Sequence, residues 1–206
     1  MTGFPKFALK PLTRRFLTSL AVVGLMFLTA GPLQAHHLPP GMEDVDEFED
    51  GAAFMAGLQH PLLGLDHWMF AVAIGALAGI FARAGSSRAW QVSLLLGVLM
   101  GAMLGLKGLV LPGLQFSSAL ALLVPLMVVM LRQHLPGLAL SLLVALAAFW
   151  QGNQHGVAWP LEATSGFYLA GMMVMTALLS QSGSAMVWAV HQVLAVRRSS
   201  ASVSSF

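Results

Sequence analysis

Three ionisable side chains stand close together in one apolar stretch: His60, Asp66 and His67, within His60-Pro61-Leu62-Leu63-Gly64-Leu65-Asp66-His67. The apolar run they open continues to Phe81. A charged side chain in hydrocarbon costs at least about 2.5 kcal/mol, so such a group either serves a function or forms a buried polar network that ties helices together. Two imidazoles and a carboxylate are an N/O donor set that suits Ni2+, Co2+ or Zn2+. A second group lies in Asn153-Gln154-His155-Gly156-Val157-Ala158-Trp159-Pro160-Leu161-Glu162, and Asp66 and Glu162 are the only acids after Asp50. His155 and Glu162 are therefore further candidate ligands. An acid that pairs with a metal ion takes up protons when the metal leaves, which is a simple route to ion exchange.

Helical spacing constrains how these groups meet. In a regular helix starting near Phe54, His60 and His67 share one stripe but lie roughly 10 Å apart along the axis, too far to hold one ion. Asp66 sits about 100° round from His67, where it reaches a neighbouring face or orients an imidazole from behind. The expectation is a ladder, with His60 as an outer station and Asp66–His67 as an inner one. His155, with Glu162, would complete one or the other. Pro61 lacks an amide proton and its ring crowds residue 57, so a kink or helix start is expected near His60. Only a bend there would bring the two histidines to one point.

The elements that must position these residues are membrane helices. The chain has 206 residues, 57% hydrophobic and 9% charged, with mean hydropathy +0.79, against about 25% charged residues in soluble domains. Charges are segregated: six of the eight acids lie between Glu43 and Asp50. No basic face exists for nucleic acid, and the absence of cysteine excludes disulfides and thiolate chemistry.

Residues 1–35 read as a cleavable signal peptide, with bases from Lys6 to Arg15, an apolar core from Phe16 to Leu28, and Gly31-Pro32-Leu33-Gln34-Ala35 at the cleavage edge. Cleavage after Ala35 leaves His36 as the N-terminus, where a free amine beside an imidazole chelates nickel or copper; a mobile tail is the plainer alternative. Residues 36–52 form an acidic segment, solvated on the periplasmic side. Residues 53–198 are the transmembrane bundle and 199–206 a cytoplasmic tail.

Five apolar runs, at about 54–81, 90–111, 116–131, 138–159 and 167–196, predict an all-α polytopic helix bundle with five transmembrane helices. A break near Ser182-Gly183-Ser184 would make six. Five spans with the mature N-terminus periplasmic place Arg83, Arg88, Arg132, Arg197 and Arg198 on the cytoplasmic side of an inner membrane, as the positive-inside rule requires. Gly97, Gly101 and Gly105 form a stripe that lets helix backbones approach, and Gly75 and Gly79 offer another; they serve an internal pair or a homo-oligomer. Lys107 is expected to snorkel, His134 and His191 to sit at interfaces, and Met69, Met100, Met103 and Met173 to act as packing.

The pattern resembles the HupE/UreJ family of small bacterial nickel permeases. Phe54, Gly57, His60-Pro61, Gly64, Asp66-His67, Met69, Ala71 and Gly75 match its first motif, and Gln154-His155-Gly156 with Glu162 is similar to its second. His36, directly after the signal peptide, also matches. Gln154 stands where the family usually has Phe, Ser180 stands where histidine is common, and the chain ends short of the family's last span. The resemblance implies a non-enzymatic permease supplying Ni2+, in some members Co2+, to hydrogenase or urease. The metal is then a transported substrate rather than a bound cofactor, and the partners are the ion and the lipid bilayer. Two other functions compete: an intramembrane zinc hydrolase with Glu162 as general base, and a non-catalytic subunit whose histidines bind haem or a partner.

Overall fold

The computed structural model describes residues 50–81, 87–158 and 165–203. The expected signal peptide, most of the acidic segment, His36 and Glu162 lie outside the described residues. Within them the ordered elements are helices: α1 (Asp50–Leu63), α2 (Leu65–Ile80), α3 (Ser87–Leu106), a 3-10 turn (Leu114–Phe116), α4 (Ser117–Leu131), α5 (Gly137–Ala158) and α6 (Ser165–Val203).

The first apolar run, expected as one span, is two helices bent by 80° with Gly64 between them. Pro61 does not itself make the kink; it sits inside the last turn of α1, and the chain turns three residues later. Pro61 withholds one hydrogen bond from that turn, and glycine in a helix costs about 1 kcal/mol against alanine. Gly64 takes an extended conformation (φ −92°, ψ 108°), and its carbonyl accepts from the amides of His67 and Trp68 at 3.1 and 3.2 Å, starting α2 afresh.

Among the described residues, three helices are long and apolar enough to cross a membrane, and the bent α1–α2 pair would make a fourth. Helix α5 has 22 residues, about 33 Å, but Gln151, Asn153, Gln154 and His155 crowd its final turns. Helix α6 runs without a break through Ser182-Gly183-Ser184, so the interruption expected as a route to a sixth span is not there. Its serines bond to helix carbonyls instead: Ser182 Oγ donates to Leu179 at 2.7 Å and Ser184 Oγ to Gly75 at 2.7 Å.

The glycine stripes close pairs inside the chain. Helices α3 and α5 run parallel, with Gly97, Gly101 and Gly105 of one against residues 145–157 of the other; a methyl at Gly101 would collide with the Phe149 carbonyl, and one at Gly156 with that of Ala102. Helix α6 receives α1 where Gly171 meets Phe54, and α2 where Gly183 meets Val72 and Gly75 meets Ser180. Between helices in lipid, where apolar burial offers little drive, such approach gains van der Waals contact. Phe70, Ile74, Leu94, Val124, Val128, Val144 and Met172 fill the centre, while Leu96, Met100, Met103, Met130, Leu138 and Leu146 face outward.

Candidate metal centre

Three helix ends meet at the site. His60 ends α1, His67 lies in the first turn of α2, and His155 lies in the last turn of α5. All are buried, at 7%, 6% and 2% exposure. Nε2 of His60 lies 2.7 Å from Nδ1 of His155, and Nε2 of His67 lies 3.4 Å from that same nitrogen. One ring nitrogen from each falls within 4.8 Å of the others. Nitrogens around a tetrahedral ion with bonds of 2.0–2.1 Å stand about 3.3 Å apart, so the observed separations bracket those of a bound ion. The ladder expected from helical spacing gives way: His60 and His67 face one point, because the 80° bend at Gly64 replaces two turns of axial separation.

Asp66 sits behind this group. Its Oδ1 accepts from Nδ1 of His67 at 2.7 Å and its Oδ2 from the hydroxyl of Ser118 at 2.5 Å, with the carboxylate only 1% exposed. Once Nδ1 carries the proton, Nε2 turns its lone pair toward the other two histidines. A carboxylate in the first turn of α2 is also well placed against the positive end of the helix. The amide nitrogen of Gln151 lies 3.4 Å from the same Nδ1. The Tyr168 ring meets His60 edge-on with centroids 5.8 Å apart, and Gln154 accepts a hydrogen bond from Ser117. Asn153, fully buried, ties the α3–α4 loop to α5: its Oδ1 accepts from the Leu111 amide at 3.0 Å and its Nδ2 donates to the Leu109 carbonyl at 2.8 Å.

Of the residues singled out by sequence, His60, His67 and His155 come together, with Asp66 one bond removed. Glu162 and His36 lie outside the described residues. His134 and His191 are exposed and stand apart from the cluster, and Ser180 is buried against α2 and α3, away from it. Sequence reasoning passed over Ser118, Gln151 and Tyr168. Each left a trace: a serine pair opening an apolar run, a polar residue one helical turn before His155, and the chain's single tyrosine. Three imidazole nitrogens converging in a buried pocket can hold a borderline divalent cation and leave positions for water or an incoming ligand.

Fold and site together define a helical membrane protein built around a buried three-histidine centre. The chain belongs to the HupE/UreJ family, whose profile, described as HupE / UreJ protein, matches residues 22–205. It is similar to Protein HupE of Rhizobium leguminosarum bv. viciae, 30% identical over 131 residues, 63% of this chain and 67% of that protein. No solved structure matches it.

Proposed function

We propose that this protein is a secondary permease that carries Ni2+, with Co2+ as the alternative substrate, from periplasm to cytoplasm across the bacterial inner membrane. The observation that carries the reading is the convergence of one nitrogen each from His60, His67 and His155 within 4.8 Å, buried at the meeting of three helix ends. In this reading the three histidines are the ligands and Asp66 orients His67 through Nδ1. Glu162 and His36 serve the outer mouth. The imidazoles must be neutral to bind metal, so protonation of the set opposes binding and favours release. The protein is then not an enzyme and keeps no resident cofactor. Supply of a hydrogenase or urease follows from the family resemblance.

The proposed topology counts the α1–α2 pair, α3, α4, α5 and α6 as five spans, with the mature N-terminus periplasmic. The positive-inside rule supports it, since Arg83, Arg88, Arg132, Arg197 and Arg198 then share the cytoplasmic side. Tracer uptake of Ni2+ in cells lacking other nickel importers tests the function. Accumulation above the His67→Ala background is expected, and equality of the two refutes it.

The three-nitrogen geometry also suits catalytic zinc, which takes three protein ligands and one open position. Glu162, the base such a hydrolase would use, lies outside the described residues, and both Asp66 oxygens already accept hydrogen bonds. Tightly bound stoichiometric zinc with lipid cleavage by the purified protein would favour that alternative. The T-shaped contacts among the rings, with centroids 4.0 to 5.9 Å apart, speak against a haem between them.

A further inference from the structure

A second polar cluster lies on the inner side of the bundle, separate from the histidines. Nε2 of Gln91, in the second turn of α3, donates to Ser180 Oγ at 3.2 Å and Ser184 Oγ at 3.1 Å, and lies 3.5 Å from the Ser180 carbonyl. Ser184 Oγ in turn donates to the carbonyl of Gly75 at 2.7 Å. Three helices contribute, and three oxygens surround one amide group, the two hydroxyls and the Ser180 carbonyl, with the Gly75 carbonyl one hydrogen bond further on. On α2, Gly75 lies about 12 Å beyond His67. Gln91 stands one turn inside Arg88, which marks the cytoplasmic end in the topology above.

Helix α6 connects the two clusters. Tyr168, Met172, Thr176, Ser180 and Ser184 recur every fourth residue, and the first four are at least nine-tenths buried. The stripe begins at the Tyr168 ring beside His60 and ends about 24 Å away at Ser184. Four of its five side chains carry hydroxyls, that of Thr176 donating to the Met172 carbonyl within the helix at 2.8 Å. Glycines 75 and 183 hold α2 hard against it. Two buried donors at the same end of the bundle, Trp90 Nε1 next to Gln91 and Ser141 Oγ on α5, find no partner among the described residues. Polarity persists from the histidine centre to the inner face.

We propose that Gln91, Ser180 and Ser184 form a second, uncharged oxygen station for the divalent cation, on the exit half of the route served by α6. Rotation of the Gln91 amide by half a turn replaces Nε2 with Oε1 and frees both serine oxygens to face the ion. Neutral oxygen donors bind a nickel-like cation less tightly than imidazoles do. A weaker second site suits conduction, in which a site must admit the ion and yet let it leave. The station accepts the cation from the three histidines and releases it to the cytoplasm. The proposal rests on the permease reading.

Proteoliposomes of the full chain with Ni2+ as probe give the test, with influx and equilibrium binding measured on the same preparations. Gln91→Leu is expected to lower influx at least tenfold, with Ni2+ affinity at the histidine centre within twofold of wild type. Gln91→Glu, which places a carboxylate in the station, is expected to raise bound Ni2+ from one to two equivalents. A role limited to holding helices together moves neither number in this way. Wild-type influx in Gln91→Leu overturns the proposal while leaving the permease intact, and so does a single equivalent in Gln91→Glu should Gln91→Leu not fold. Wild-type vesicles without influx refute the permease reading itself, and the station with it.

Discussion

Asp66→Asn isolates what the buried carboxylate does. Asparagine keeps the shape and an acceptor oxygen for His67 Nδ1, and its amide group faces Ser118, whose hydroxyl can turn to accept. Only the negative charge is lost. The Asp66–His67 contact is 2.7 Å and the carboxylate is 1% exposed, conditions in which a charge-assisted hydrogen bond is about twice as strong as a neutral one. Removing such a partner of a metal-binding histidine typically lowers metal affinity 10- to 100-fold, or about 1.4–2.7 kcal/mol. Titration of purified Asp66→Asn with Ni2+ should therefore show an affinity loss in that range, with stoichiometry unchanged. Ser118→Ala removes one of the two donors to the carboxylate and should cost about 1 kcal/mol, roughly a fivefold loss. His67→Ala removes a nitrogen outright and should lose more than a hundredfold. The ordering refutes the reasoning if it inverts: Asp66→Asn as damaging as His67→Ala makes Asp66 a ligand, and Asp66→Asn at wild-type affinity leaves it no role behind the ring.

Four further outcomes follow from the same geometry. Gly101→Leu forces a side chain into the Phe149 carbonyl and should destabilise the protein by about 1–3 kcal/mol, read as earlier thermal unfolding in detergent. Gly166→Leu on α6, where nothing stands within 4 Å of an added carbon, should unfold as wild type does. Mass spectrometry of the mature protein should find His36 at the N-terminus, and a chain beginning at Met1 would remove the proposed chelating amine. Because the sequence contains no cysteine, single-cysteine variants report topology cleanly: Leu109→Cys should react with an impermeant thiol reagent from the periplasm and Gln133→Cys should not.

How much of this was legible in the sequence differs between elements. The apolar runs at 116–131 and 138–159 lie within one residue of α4 and α5 at each end, because long hydrophobic segments bounded by proline, glycine and charge leave little freedom. The three histidines that come together were all among the candidates drawn from residue type, since buried groups of this kind demand partners; His191 also lies in an apolar run, yet it is exposed and apart from them. The mutual geometry of the three was not legible. Periodicity assumes a straight helix, and Pro61 drew attention to the wrong residue: it is held inside the helix at the loss of one backbone hydrogen bond. The turn came at Gly64, an unremarkable glycine by composition. Ser118 and Gln151 were hidden for another reason: what makes them matter is a contact across helices that no spacing within one helix encodes.

Helix α5 shows why the span count and the site resist being read by the same rule. Hydropathy recognises a membrane helix by uniform apolarity, yet the final turns of α5 carry Gln151, Asn153, Gln154 and His155. His155 faces His60 and His67, Gln151 backs His67, and Asn153 and Gln154 bind the α3–α4 loop and the start of α4. Gln151, Asn153 and His155 are buried and Gln154 half-buried, because Gly101, Gly105, Gly152 and Gly156 draw α3 and α5 together at that depth. Close packing through glycine thus removes the penalty that exposed polar side chains would incur in hydrocarbon. The residues that lower the hydropathy of α5 are the ones that build the centre, so a weak membrane signal at this helix is a consequence of the site. Substituting Gly152 by leucine should then do more than loosen a helix pair: by pushing α5 away from the Val98 carbonyl it should pull His155 off the other two histidines. Metal affinity and thermal stability would fall together, and a Gly152→Leu protein that unfolds early but binds Ni2+ at wild-type affinity would break that link.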